Sequence, residues 1–240
     1  MPDSSPKQIY IAKRAAELTD ATYAARWRQH GSFVRSLPLW QHIRHYEQCL
    51  VQSAEDVGGV EIPGLDTDWD MVGMVWFRGP DSFSDAVAEP SVELVYADER
   101  ETFLEPIAET TVFTQELVLR NDGGTKVKLV AFLKRKPGLT REEFFRHWEH
   151  THAPLFLGVE EVAGHVVKYV QNHVLPWSEG PMAEYDGVVE IGFRSPEDVA
   201  KAFGHPAYME RIRPDEEQFV DLDSMVVVAT DEALLYEDAL

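Results

Sequence analysis

The chain is short of the features that secreted, membrane-spanning and nucleic-acid-binding proteins depend on. It has a single cysteine, Cys49, so no internal disulfide can form. The start, MPDSSPKQ, is polar and lacks the apolar core of a secretion signal. Together these point to a cytoplasmic location. No run of about 18 apolar residues occurs, which excludes a helical membrane span. Basic residues are scarce: 22 Lys and Arg face 42 Asp and Glu, a net charge of −20. Such a surface repels nucleic acid phosphates and anionic lipid, so neither is expected as a partner. Cys-x-x-Cys, a phosphate-binding Walker loop, Gly-x-Gly-x-x-Gly and Gly-x-Ser-x-Gly are all missing. Structural zinc, nucleotide binding and serine hydrolysis therefore lack their usual supports.

What remains is a globular composition, 44% hydrophobic and 27% charged over 240 residues. That length fits one large domain or two ordinary ones. An internal repeat narrows the choice. Lys13 and Lys134, Thr19 and Thr140, Tyr23 and Phe144, and Trp27 and Trp148 each stand 121 positions apart. Tyr46 and Tyr169, and Gln48 and Gln171, stand 123 apart, and Phe77 and Phe193 stand 116 apart. The drifting offset places short insertions and deletions in loops. Residues 8–120 and 126–240 are thus expected to be two copies of one unit.

Each copy reads as strand, helix, strand, strand, helix, strand, a ferredoxin-like βαββαβ order. In the second copy the spacing predicts strands over 127–134, 164–174, 187–193 and 224–229. It predicts helices over 141–152 and from Pro196, the latter capped by Ser195. Thr140 followed by Glu143 forms a capping box, and Pro154 is expected to close the helix. On a helical wheel with Phe144 at zero, Trp148 falls near about 40° and His152 near about 80°. An aromatic face therefore runs into a histidine. His147 and His150 lie off that face and are expected to be solvated.

The strand KLVAFLKRK, the link PGLT, the helix EEFFRHW and the following THAPL resemble the EthD family of the dimeric α/β-barrel superfamily. HVVKYVQNHV resembles its second strand, with Tyr169 and Asn172 at the matching positions. The resemblance implies an α+β fold: tandem ferredoxin-like βαββαβ repeats whose two antiparallel sheets pack as an intrachain dimeric α/β barrel. Whether two such chains pair further as a homodimer is left open.

His152 ends an aromatic stripe, and a histidine at a pocket edge suits acid–base work near neutral pH. His152, Tyr169 and Asn172 are the expected catalytic residues. Tyr169 and Asn172 face opposite sides of a strand, so only one of them can join His152. Trp148, Phe144, Phe156, His30, Tyr46 and Trp40 are the expected substrate-binding residues. His30 is the first-copy counterpart of His152, but it lies three residues after its Trp where His152 lies four. Cys49 stands where Asn172 stands. The second copy is therefore expected to hold the working site. The resemblance implies an enzyme that needs no cofactor or metal, a lyase, isomerase, cyclase or decarboxylase acting on an apolar or aromatic small molecule. A haem-dependent or cofactor-free oxygenase and a non-catalytic accessory binder stand beside it.

Overall fold

Period-two alternation is faint in this chain because most strands are covered on both faces. Every residue of β5 (Val127–Leu133) and β7 (Gly187–Phe193) is buried. One face of each strand looks into a barrel and the other lies under helices. The computed structural model describes residues 5–231 and 233–237. Residues 1–4, which begin the polar start, lie outside them, as do Glu232 and 238–240 at the end of the second repeat.

The first repeat runs β1 (Lys7–Ala12), α1 (Tyr23–Ser36), β2 (Ile43–Leu50), β3 (Met71–Phe77), α2 (Ser82–Ala88), α3 (Val92–Thr102) and β4 (Thr111–Asn121). The second runs β5, α4 (Arg141–His147), α5 (Ala153–Gly158), α6 (Glu160–Ala163), β6 (Val166–Val174), β7, α7 (Pro196–Phe203), α8 (Arg213–Phe219), β8 (Val226–Thr230) and β9 (Leu234–Glu237). The strand order is β8-β5-β7-β6-β4-β1-β3-β2-β9. Each repeat keeps its own fourth, first, third and second strands in that sequence. The repeats join where β4 pairs with β6 and where β2 pairs with β9. The two ends of the order also meet. Val51 bridges Thr230, Gln52 N–H donates to Ala229 O at 2.8 Å, and Asp231 N–H donates to Leu50 O at 3.0 Å.

The barrel interior is apolar for much of its length, with Ile9, Ile11, Val72, Met74, Val130 and Phe132 in one cluster. It also holds a charge network that spans both repeats. Glu190 is fully buried and takes Lys128 at 3.2 Å, Lys168 at 3.0 Å and Lys7 in a closer contact. Lys7 also meets Glu116 at 2.8 Å, and Lys128 meets Glu47 at 2.7 Å. Burial alone would push the Glu190 carboxyl up. The three ammonium groups outweigh it and hold the carboxyl well below the usual range.

The capping box forms as read, with Glu143 N–H to Thr140 Oγ1 at 3.2 Å and Thr140 N–H to Glu143 Oε2 at 2.8 Å. The helix does not stop before Pro154. It passes through a π-turn at Trp148–His152 and continues as α5. Ala153 N–H reaches back five residues to Trp148 O. The extra residue lets the chain accommodate a proline that would break a regular α-helix. His150 is exposed, but His147 is not merely solvated: it bonds Asp215 at 2.9 Å and stacks on Phe219.

Splitting the chain at residue 122 would open both inter-repeat pairings and bare the barrel interior. Expressed alone, residues 1–122 and 123–240 are each expected to aggregate or pair. Sedimentation and thermal melts check this, and a monomeric, cooperatively melting half would contradict it.

Candidate functional site

Between the helices and the outer face of the first repeat's sheet lies a cavity of about 300 Å³. Helix α3 presents Val92, Val95, Tyr96 and Glu99 to it, the i, i+3, i+4, i+7 stripe of one helical face. Helix α1 adds His30 and Val34, and the strands add Gln8, Tyr10, Tyr46 and Phe113. The rim comes from the second repeat. Trp177 packs on Phe113 at 5.0 Å and on Phe83 at 6.1 Å, and Glu179 reaches the lining.

His30 is buried, and its Nδ1 lies 2.7 Å from Asp98 Oδ2. Arg26 grips the same carboxylate at 2.7 and 3.2 Å. Burial raises the Asp98 carboxyl, but hydrogen bonds from His30 and Arg26 prevail and hold it at about 2. Asp98 is therefore ionised and accepts the Nδ1–H. That leaves Nε2 without a partner among the described residues. Glu99 is the next residue on α3 and has the opposite environment. Burial, then the charge of Asp98, pushes its carboxyl up to about 7.

The two phenols at the cavity wall can be resolved by counting donors. Tyr46 Oη accepts from Trp27 Nε1 at 2.9 Å and from Gln48 Nε2 at 3.2 Å. Its lone pairs are then filled, so its own hydrogen goes to the adjacent Tyr10 hydroxyl. Tyr10 accepts there and keeps its O–H for the cavity. Burial raises both phenols, so both stay neutral donors. Gly73 makes this possible, because a Cβ at that position would lie 2.0 Å from the Tyr10 ring.

The second repeat repeats the plan at closer quarters. His152 Nδ1 lies 2.9 Å from Asp215 Oδ2, and Gln171 Nε2 donates to Trp148 O at 2.9 Å, as Gln48 does to Trp27 O at 2.7 Å. The differing Trp-to-His spacings reconcile through the π-turn. A π-turn is one extra residue in a helix, so four residues there cover what three cover in the regular α1. Yet the second cavity is only about 60 Å³. The difference lies in the loops. In the first repeat the β2–β3 connection, 51–70, carries Val57 and Ile62 into the second repeat's core. The shorter 175–186 connection only edges the first cavity.

Of the residues singled out from sequence, His152, Tyr169, Trp148 and Phe156 line the small cavity. Phe144 sits behind them, 5.5 Å from Trp148 and from Phe219. His30 and Tyr46 line the large cavity, while Trp40 packs in the adjoining core. Asn172 belongs to neither: it faces the barrel interior and donates to Glu190 at 3.1 Å and Val188 O at 3.0 Å. Cys49 is buried there too, its thiol pushed up to about 11 by burial. Asp98, Glu99, Asp215 and Tyr10 were not read from the sequence. The Asp-Glu pair at 98–99 and again at 215–216 was the available signal. Among the described residues no cluster of three or more His, Cys, Asp or Glu is arranged to hold a metal ion. Nor is any helix long and apolar enough to cross a membrane.

The family model of the EthD domain matches residues 15–107 and 136–223. The chain is similar to the conidial pigment biosynthesis dehydratase EthD of Metarhizium robertsii, with 30% identity over 98 residues, 36% of this chain and 68% of that protein. It is also similar to the dehydratase aurZ of Gibberella zeae, with 25% identity over 130 residues, 49% of this chain and 84% of that one. Among solved structures it resembles an anthrone oxidase-like protein at TM-score 0.64 and 9% identity, covering 99% of this chain and 98% of the other. A putative monooxygenase from Fusobacterium nucleatum aligns at TM-score 0.61 and 8% identity, with both chains fully covered.

Proposed function

Because this chain belongs to the EthD domain family, we propose that it is a dehydratase acting on a hydroxylated, ring-containing ketone, with the first-repeat cavity as its active site. The observation that carries this reading is the convergence of three groups on one cavity of about 300 Å³: a histidine with a free Nε2, a phenol donor and a carboxyl raised to about 7. The dehydratase-named relatives support the reaction class. The apolar lining suits a ring, and the few polar groups suit its oxygens.

In this mechanism His30 Nε2 removes the proton from the carbon beside the ketone, held in the right tautomer by Asp98. Tyr10 donates to the ketone oxygen as enolate charge develops there. Glu99, protonated, gives its proton to the hydroxyl on the next carbon. The C–O bond breaks and water leaves, while the enolate electrons form the new double bond. Base, acid and oxyanion donor all come from the chain, so the elimination needs no further group. Tyr46, Gln48 and Trp27 position Tyr10.

The test is incubation with cyclic β-hydroxy ketones of naphthalene size in heavy water. Loss of one water is expected, with deuterium at the carbon beside the carbonyl in the unreacted substrate whose enolate is reprotonated before the hydroxyl leaves. Tight binding with neither event would instead mark a binding protein. The environment of Glu99 adds a sign. The acid is competent only while protonated, so kcat/KM is expected to fall as pH rises through about 7. Glu99→Gln should remove that alkaline limb along with most of the activity. A limb that persists in Glu99→Gln would assign it to another group.

A further inference from the structure

We infer that the second repeat holds a second ring-binding site, kept shut by the 54–65 segment of the first repeat. This rests on the first-repeat cavity being the ligand site. Trp148, His152, Asp215, Tyr169 and Gln171 reproduce Trp27, His30, Asp98, Tyr46 and Gln48, bond for bond at the histidine and at the glutamine. A buried histidine needs only its aspartate, so a purely structural role would not require the whole set.

A second observation is independent of that correspondence. The Tyr169 hydroxyl is buried and lines this cavity; Trp148 and Gln171 stand beside its oxygen as Trp27 and Gln48 stand beside that of Tyr46, but its own O–H has no acceptor among the described residues. In the first repeat the matching hydroxyl of Tyr46 bonds Tyr10. In the second, Ala131 takes the place of Tyr10 121 positions on, and the Tyr169 O–H is left for a ligand oxygen. Buried hydroxyls are rarely left unbonded, and one that is calls for an explanation. The site is not a second dehydratase. Glu216, the counterpart of Glu99, is taken up by Arg213 at 2.8 Å and Tyr208 at 3.1 Å, so no free acid remains. A phenol or cyclic ketone would bind there without losing water.

The segment over it covers the cavity with side chains between two backbone anchors. It is anchored on both sides: Gln52 N–H donates to Ala229 O at 2.8 Å just before it, and Asp66 N–H donates to Val227 O at 2.7 Å and Val227 N–H to Gly64 O at 2.9 Å on its far side. Within it the backbone bonds are local, such as Gly59 N–H to Ala54 O at 2.9 Å. What it puts into the second repeat is side chains, chiefly Val57 and Ile62. The closed cavity of about 60 Å³ holds about two waters. Removing the segment would join the cavity to the volume that Ile62 and Pro63 now fill.

The probe is 2-naphthol, titrated calorimetrically and by quenching of tryptophan fluorescence. The full chain should bind one molecule. Ala86→Trp, which fills the first cavity, should bind none. Replacing 54–63 by a four-residue Gly/Ser link should raise the count to two, or to one alongside Ala86→Trp. Tyr169→Phe should then weaken the added site about ten-fold. Ile62→Ala, which leaves the backbone intact, serves if the shortened chain does not fold, with phenol as the probe and a count of two expected. A folded shortened or Ile62→Ala chain that still binds one molecule overturns the inference. If Ala86→Trp leaves binding to the full chain untouched, it is the first-repeat reading that fails.

Discussion

Replacing His30 by Gln is expected to lower kcat/KM for the dehydration by about 10²–10⁴, the usual contribution of a general base. Replacing His152 by Gln should leave it within about two-fold. The contrast follows from space, not from sequence motif. Both histidines sit at the same place on their helices and both bond an aspartate, but only His30 opens on a cavity of ring size. Fold is expected to survive in both variants, because each amide can still bond the aspartate. Steady-state kinetics with a melt on each variant checks this. Loss of activity in His152→Gln with retention in His30→Gln would move the active site to the second repeat.

Replacing Glu190 by Leu is expected to cost about 3–5 kcal/mol of stability, the range for leaving buried charge uncompensated. For a chain of this size that corresponds to a fall of about 10 °C in Tm. Three lysines converge on Glu190. Lys7 and Lys128 would keep Glu116 and Glu47, while Lys168 would lose its carboxylate. Adding Lys168→Met to Glu190→Leu should therefore restore part of the loss. The pH sign follows from the depressed carboxyl. Its contribution is full above the ordinary glutamate value of about 4.3 and is lost as pH falls toward the lower native value. Glu190→Leu should flatten that acid limb. A Tm within about 2 °C of the parent chain would mean that the network adds nothing net.

The sequence disclosed what is local and periodic. Thr140 and Glu143 announced a helix start, and the Phe144–Trp148 stripe announced its buried face. The repeated spacing announced the duplication, from which the barrel follows. What it hid depends on distant packing. Helix α3 was missed because VELVYADERET carries five charges, and in a chain with 42 acids Asp98 and Glu99 looked like ordinary surface. Only packing against α1 and the sheet makes one the partner of His30 and the other a raised acid. Tyr169 and Asn172 were separable by strand alternation, but nothing local showed that Asn172 would meet Glu190. The proposed choice of repeat rests on loop 51–70, which has no periodicity and acts on the opposite half. The spacing difference between His30 and His152 looked like decay until the π-turn accounted for it.

The β2–β3 connection, 51–70, lies over the second repeat's pocket, while the corresponding β6–β7 connection, 175–186, only edges the first repeat's. In a barrel assembled from two identical chains, symmetry would force both connections to be alike, and any lengthening would close both pockets at once. Two repeats on one polypeptide escape that constraint. One connection is a stopper and the other a rim, and each can change without the other following. Joining the halves thus does more than fix their stoichiometry: it lets one polypeptide carry an open pocket and a closed one, each with its own mutable cover.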